Sequence, residues 1–142
     1  MRRFPAQQAL RTENAAYLSA RLSEIPGVEP LKVPEGVTAH SWYSYHFRWL
    51  GTPEGGLPKL EFSRALKAEG IPNFHGYVPL NRNAAVRDEI VRLGGREPTP
   101  CPSAERAADD EVLMFSLPIL MGTHEDLDDV AEAVAKVAAM HP

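Results

Sequence analysis

The chain has 142 residues, a formal net charge of -4, 44% apolar residues and one cysteine, Cys101. A single domain of roughly 100–150 residues buries enough surface to hold its own core. A lone thiol excludes an internal disulfide framework and a cysteine-rich zinc site, and the net acidity argues against a phosphate-backbone binder, which usually carries a basic face. No apolar run approaches the roughly 18 residues of a membrane span, and no apolar stretch follows the arginines of Met1-Arg2-Arg3-Phe4-Pro5. The expectation is a cytoplasmic protein with neither nucleic acid nor membrane as partner.

In chain order, Pro5 to Glu24 sets Leu10, Tyr17, Leu18, Leu22 and Ile25 on one helical face and is stopped by Pro26-Gly27. Ser41 to Trp49 alternates as a half-buried strand, with Tyr43, Tyr45, Phe47 and Trp49 on one side. Pro58 to Glu69 reads as a short helix with proline at its start and Gly70 as its C-terminal cap. Phe74 to Leu80 is a second apolar run, broken by Gly76 and Pro79, and Ala84 to Leu93 fits one more helix. Val112 to Leu117 is a third strand. The last segment carries the strongest pattern: Thr123 and Asp126 form a capping-box start, and Leu127, Val130, Ala131, Val134, Val137 and Ala138 recur at helical spacing. Helices covering one face of a small sheet fit this order. The aromatic stripe and the last helix are expected to bury each other.

Few residues form a recognisable chemical constellation. No two of the five histidines, His40, His46, His75, His124 and His141, have the i, i+4 spacing of a helical zinc site. Gly51 to Gly56 lacks the Lys-Ser/Thr ending of a phosphate loop, and no nucleophile elbow is present. The aromatic stripe could stack bases or sugars, but large rings at period two usually form a core face. Acidic residues at 109–111 and 125–129 read as solvated helix ends. Gly70 to Asn81 is different, because Pro72, Gly76 and Pro79 restrict the backbone around three polar side chains, His75, Tyr77 and Asn81. Such a segment is either a rigid ligand-facing loop or a structural one.

Six motifs in order then resemble one family: Arg11 to Leu18 with Ile25-Pro26-Gly27-Val28, Ser41 to Arg48, Leu66 to Pro72, Gly76-Tyr77-Val78-Pro79-Leu80, Cys101 to Glu105, and Leu117-Pro118 ahead of Glu125-Asp126-Leu127. Together they resemble the C-terminal small domain of DegT/StrS-type aminotransferases, over nearly the whole chain. The resemblance implies an α+β fold, a two-layer unit with a small, mostly antiparallel sheet and helices on one face, spanning residues 1–142. It also implies a pyridoxal-phosphate enzyme that aminates a keto-sugar or keto-cyclitol from glutamate or glutamine, as a homodimer. In that family the Schiff-base lysine and most of the phosphate cup belong to a larger N-terminal domain that this chain lacks, so the chain alone is expected to be inactive and to bind no coenzyme covalently. Lys32, Lys59, Lys67 and Lys136 all read as solvated surface lysines. No catalytic, coenzyme-binding or metal-binding residue is assigned here. Tyr77, with His75 and Asn81, is the substrate-binding candidate, since Gly76-Tyr77-Val78-Pro79 matches the family's His-Tyr-x-Pro loop except at the histidine. The last strand supplies no arginine for a donor carboxylate. The competing reading is a free-standing, non-catalytic ligand-binding or regulatory module on the same scaffold.

Overall fold

A computed structural model describes residues 3–52 and 55–140; His141 lies outside them. Helix α1 (Phe4–Ser23) leads into strand β1 (Val28–Pro30) and strand β2 (Ser44–Trp49). Helix α2 (Lys59–Ala68) precedes the two-residue strand β3 (Phe74–His75). A 3-10 turn (Leu80–Arg82), helices α3 (Ala84–Arg92) and α4 (Pro102–Arg106) and a π-helical turn (Ala107–Glu111) then lead to strand β4 (Val112–Ser116). A 3-10 helix (Leu117–Met121) and helix α5 (His124–Ala138) complete the chain. The four strands form one sheet in the order β1-β2-β4-β3, with every neighbouring pair antiparallel. This is the expected α+β layer arrangement.

Alternation along the central strands separates the two faces. Tyr45, Phe47 and Trp49 of β2 and Leu113 and Phe115 of β4 are all at most 2% exposed, and they meet Leu18, Leu22, Phe62, Leu66, Leu127, Val134 and Val137 from α1, α2 and α5. Phe115 lies 5.0 Å from Phe47 and 6.3 Å from Tyr45 between ring centroids. Burial pushes the Tyr45 phenol up to about 12. The unfolded chain releases that proton near 10, so stability should hold up to about pH 10 and fall as the pH rises toward 12, because only the unfolded state ionises freely in that window. Alkaline unfolding monitored by circular dichroism, with Tyr45→Phe as the reference, checks this: the variant should lose less stability across that interval.

Local chemistry sets the helix ends. The Thr123 hydroxyl accepts from the Asp126 N–H at 3.2 Å while the Asp126 carboxylate accepts from the Thr123 N–H at 2.7 Å, the reciprocal box expected from the sequence. That hydrogen bond also holds the Asp126 carboxyl below the usual range. Asn14, 1% exposed, donates to the carbonyls of Leu120 and Gly122 at 3.0 and 2.9 Å and ties α1 to the turn before α5. Gly27 turns the chain between α1 and β1 with φ +78°; a Cβ there would sit 2.2 Å from the Gly51 carbonyl oxygen.

Four features differ from the sequence reading. Strand β1 was not anticipated, because three residues ending in proline carry no periodicity; β2 supplies its register, pairing Val28 with Trp49. The run from Phe74 to Leu80 forms a strand only at Phe74–His75, since Gly76 weakens the ladder and Pro79 has no N–H to give it. Tyr43 is not in the core: β2 begins at Ser44, and Tyr43 is 54% exposed. Lys59 is not a solvated lysine, since it is 8% exposed and donates to the Ala108 carbonyl, and burial lowers its pKa.

Asn73 also proves structural. It is 1% exposed, accepts from the Ser63 hydroxyl at 2.6 Å and donates to the carbonyls of Ser63 and Ile71, both at 3.1 Å. Asn73→Ala leaves a buried hydroxyl and two carbonyls short of a partner and should cost about 2 kcal/mol. Urea denaturation, with the midpoint falling at an unchanged slope, checks it.

Candidate functional site

The sheet face opposite the helices carries the even positions of β2 and β4. Its far end is polar: Arg48 pairs with Glu29 at 2.6 Å and Glu111 at 3.0 Å, linking β1, β2 and the π-helical turn. His46 lies between the two ends, and burial holds its imidazole below the ordinary value, with His40 adding a smaller effect. The near end is an apolar cleft of about 400 Å³ lined by Tyr43, Ser44, Phe74, Met114, Ser116 and Pro118, together with Phe115 and Leu117.

Tyr43 stands on that rim, just outside β2. Trp42, two residues before β2, has φ +49° and is the only non-glycine residue with positive φ among the described residues. Trp42 packs against the core, 6.1 Å from the Tyr45 ring, while Tyr43 lies exposed beside Ser44. The Tyr43 and Tyr77 hydroxyls share a hydrogen bond across the rim. With Tyr77 as donor, the Tyr43 phenol is held below its ordinary value and the Tyr77 phenol above it.

The three candidate residues are not gathered at one place. Tyr77, 65% exposed, reaches the cleft rim through Tyr43. His75 pairs with Leu113 and so faces the helix-bearing side; desolvation lowers its pKa first, then the charges of Lys59, Lys67 and Arg64. Asn81 donates to the Glu105 carboxylate at 2.6 Å, and the same oxygen accepts from the Cys101 N–H at 2.9 Å. Its amide thus holds the 3-10 turn to α4. Sequence pattern alone missed Tyr43, because a ring in a period-two stripe signals a core position until the start of the strand is known.

Beyond the cleft, no residue from Phe74 to Val112 is buried. Tyr77, Val78, Leu80, Val91 and Leu93 are between 56% and 71% exposed along this excursion. None of the four lysines lines the cleft: Lys59 is held by Ala108, Lys136 pairs with Glu69 at 2.6 Å, and Lys32 and Lys67 are exposed. This set does not fit a seat for a covalently held aldehyde coenzyme, and among the described residues no cluster of metal-ligating side chains occurs. No helix among them is long and apolar enough to cross a membrane.

A four-stranded antiparallel sheet with helices on one face and an uncovered cleft on the other defines an α+β small domain of the kind found in aminotransferases. The chain belongs to the DegT/DnrJ/EryC1/StrS aminotransferase family, whose pattern it matches over residues 1–135. It is 30% identical over 152 residues to the L-glutamine:2-deoxy-scyllo-inosose aminotransferase of Streptoalloteichus tenebrarius, covering 99% of this chain and 35% of that one. It is 32% identical over 142 residues to the L-glutamine:scyllo-inosose aminotransferase of Streptomyces griseus, covering 92% and 33%. The fold is similar to that of 3-amino-5-hydroxybenzoic acid synthase, with a TM-score of 0.75 at 24% identity, covering 96% of this chain and 35% of that one. The aminotransferase TlmJ of Streptoalloteichus hindustanus gives a TM-score of 0.73 at 25% identity, covering 97% and 33%. The chain spans about a third of the length of the relatives it matches.

Proposed function

We propose that the chain is the C-terminal domain of a pyridoxal-phosphate-dependent aminotransferase that moves an amino group from glutamine, or glutamate, to a keto-cyclitol or related keto-sugar. The observation that carries this reading is the match of nearly the whole chain to one third of two inosose aminotransferases. The uncovered cleft and the unburied excursion from Phe74 to Val112 support it, because they leave apolar surface that a partner would cover. In this reading a preceding large domain, absent from this chain, holds the coenzyme, which supplies the electron sink. The residues here shape the acceptor side: Tyr77 offers a hydroxyl to the acceptor, while His75 and Asn81 stand farther back and support the loop. The 142 residues alone catalyse no transamination.

A domain exchange tests this. Replacing the last third of the Streptomyces griseus relative with this chain should give a protein that aminates scyllo-inosose from glutamine, whereas the 142 residues alone with pyridoxal phosphate should not. In the active chimera Tyr77→Phe should lower turnover about tenfold, the effect of removing one hydrogen bond to the reacting ligand. A correctly folded, coenzyme-loaded chimera without activity, or wild-type turnover in Tyr77→Phe, would count against the assignment of this site.

A further inference from the structure

We propose that Tyr43 is a second positioning residue of the acceptor subsite: its ring stands exposed on the cleft rim, and its hydroxyl, joined to that of Tyr77, forms a two-phenol clasp for neighbouring hydroxyls of a polyol ring. The inference rests on the aminotransferase reading for the class of acceptor, and on the structure for the residue.

Three observations converge on it. The first is strain. A bulky aromatic residue at φ +49° is an uncommon conformation, and such outliers persist where surrounding contacts over-determine them. The contacts are present: the Trp42 N–H donates to His40 Nδ1 at 3.2 Å, the Trp42 ring lies 4.3 Å from the His40 ring, and Trp42 packs against the core beside Tyr45. The turn costs free energy, and it seats the Trp42 ring against the core immediately before the exposed Tyr43.

The second observation is the pairing of the two hydroxyls. Each phenol has one proton to donate, and one of the two is used in the pair. The second proton is left for a ligand, and the Ser44 hydroxyl stands beside the Tyr43 oxygen as a further donor. A rim that both donates and accepts over a short span matches vicinal hydroxyls, each of which does the same. The third is the floor. Tyr43 stands on a cleft whose lining is almost wholly apolar, with Phe74, Met114 and Pro118 below it, a surface suited to the C–H face of a saturated ring. The pair also links β2 to the segment after β3, so Tyr43 fixes where Tyr77 stands.

Two measurements on the 142-residue chain test the proposal. The chain has four tyrosines, Tyr17, Tyr43, Tyr45 and Tyr77, and Tyr43 alone is held below its ordinary value while the others are raised. In a spectrophotometric titration the pair should release its first proton below the ordinary phenol range, and that early ionisation should be absent in both Tyr43→Phe and Tyr77→Phe. If Tyr77→Phe leaves that first ionisation in place, the clasp does not exist. The second measurement titrates the dilute chain with scyllo-inositol and follows tyrosine ring carbon signals by NMR. Tyr43 and Tyr77 should shift together while buried Tyr45 does not, and Tyr43→Phe should weaken binding about three- to tenfold, the usual range for one net hydrogen bond. No shift at either ring, or equal binding by Tyr43→Phe, overturns the proposal. The aminotransferase reading stands or falls separately on the turnover of the chimera.

Discussion

Phe115→Ala should lower the stability of this domain by about 3–5 kcal/mol, the range for truncating a fully buried phenylalanine. Phe115 is 0% exposed near the end of β4, stacked against Tyr45 and tilted against Phe47. It also pairs directly with Tyr45 in the β2–β4 register. Its ring therefore serves the sheet and the layer contact together, and neighbours held in the β2–β4 ladder have little freedom to collapse into the void. For a chain of this length the loss corresponds to a fall in melting temperature of about 10–20 °C. Phe115→Leu keeps most of the volume and should cost less than half as much. Differential scanning calorimetry of both variants decides the matter; equal, small shifts would mean that the layers are not tightly packed here.

How far the sequence discloses this fold depends on whether a signal is local. Helix α5 was legible to the residue because its cap, its acidic first turn and its apolar stripe all lie within sixteen positions, His124 preceded by Thr123 and ending at Ala138. Strands β2 and β4 were legible at their centres, where alternation is unbroken. Strand β1 and strand β3 were not, since each is at most three residues long and exists only because an already formed strand offers a ladder. The burial of Lys59 was hidden for the same reason: the carbonyl that accepts its hydrogen bond belongs to Ala108, far along the chain.

The candidate site divides along the same line. Tyr77 was accessible through its loop motif, whose Pro72, Gly76 and Pro79 all lie close to it in sequence. Tyr43 was assigned to the core by a valid rule applied one residue too far, because only the start of β2 at Ser44 shows where alternation stops. Asn73 and Asn81 look alike in the sequence, two asparagines near prolines, yet one is buried against Ser63 and the other holds Glu105. Partners distant in sequence decide their roles.

The remaining large effect concerns the uncovered excursion. Val78 and Leu80 are 60% and 71% exposed and make no contribution to the core, so Val78→Asp with Leu80→Asp should change the unfolding free energy of the isolated chain by no more than about 0.5 kcal/mol per site. The same pair should alter its association. An exposed apolar patch drives self-association, and the 142-residue chain should sediment as concentration-dependent oligomers that the double variant shifts toward monomer. In the chimera the effect reverses in sign of benefit. If the preceding domain covers this segment, each introduced carboxylate is buried without a partner, at about 3–5 kcal/mol for an uncompensated charge. Turnover should then fall by a hundredfold or more, while the wild-type chimera remains active. Full activity in the double variant would show that Val78 and Leu80 face solvent in the assembled enzyme, and the surface that the larger domain covers would have to lie elsewhere along Phe74 to Val112.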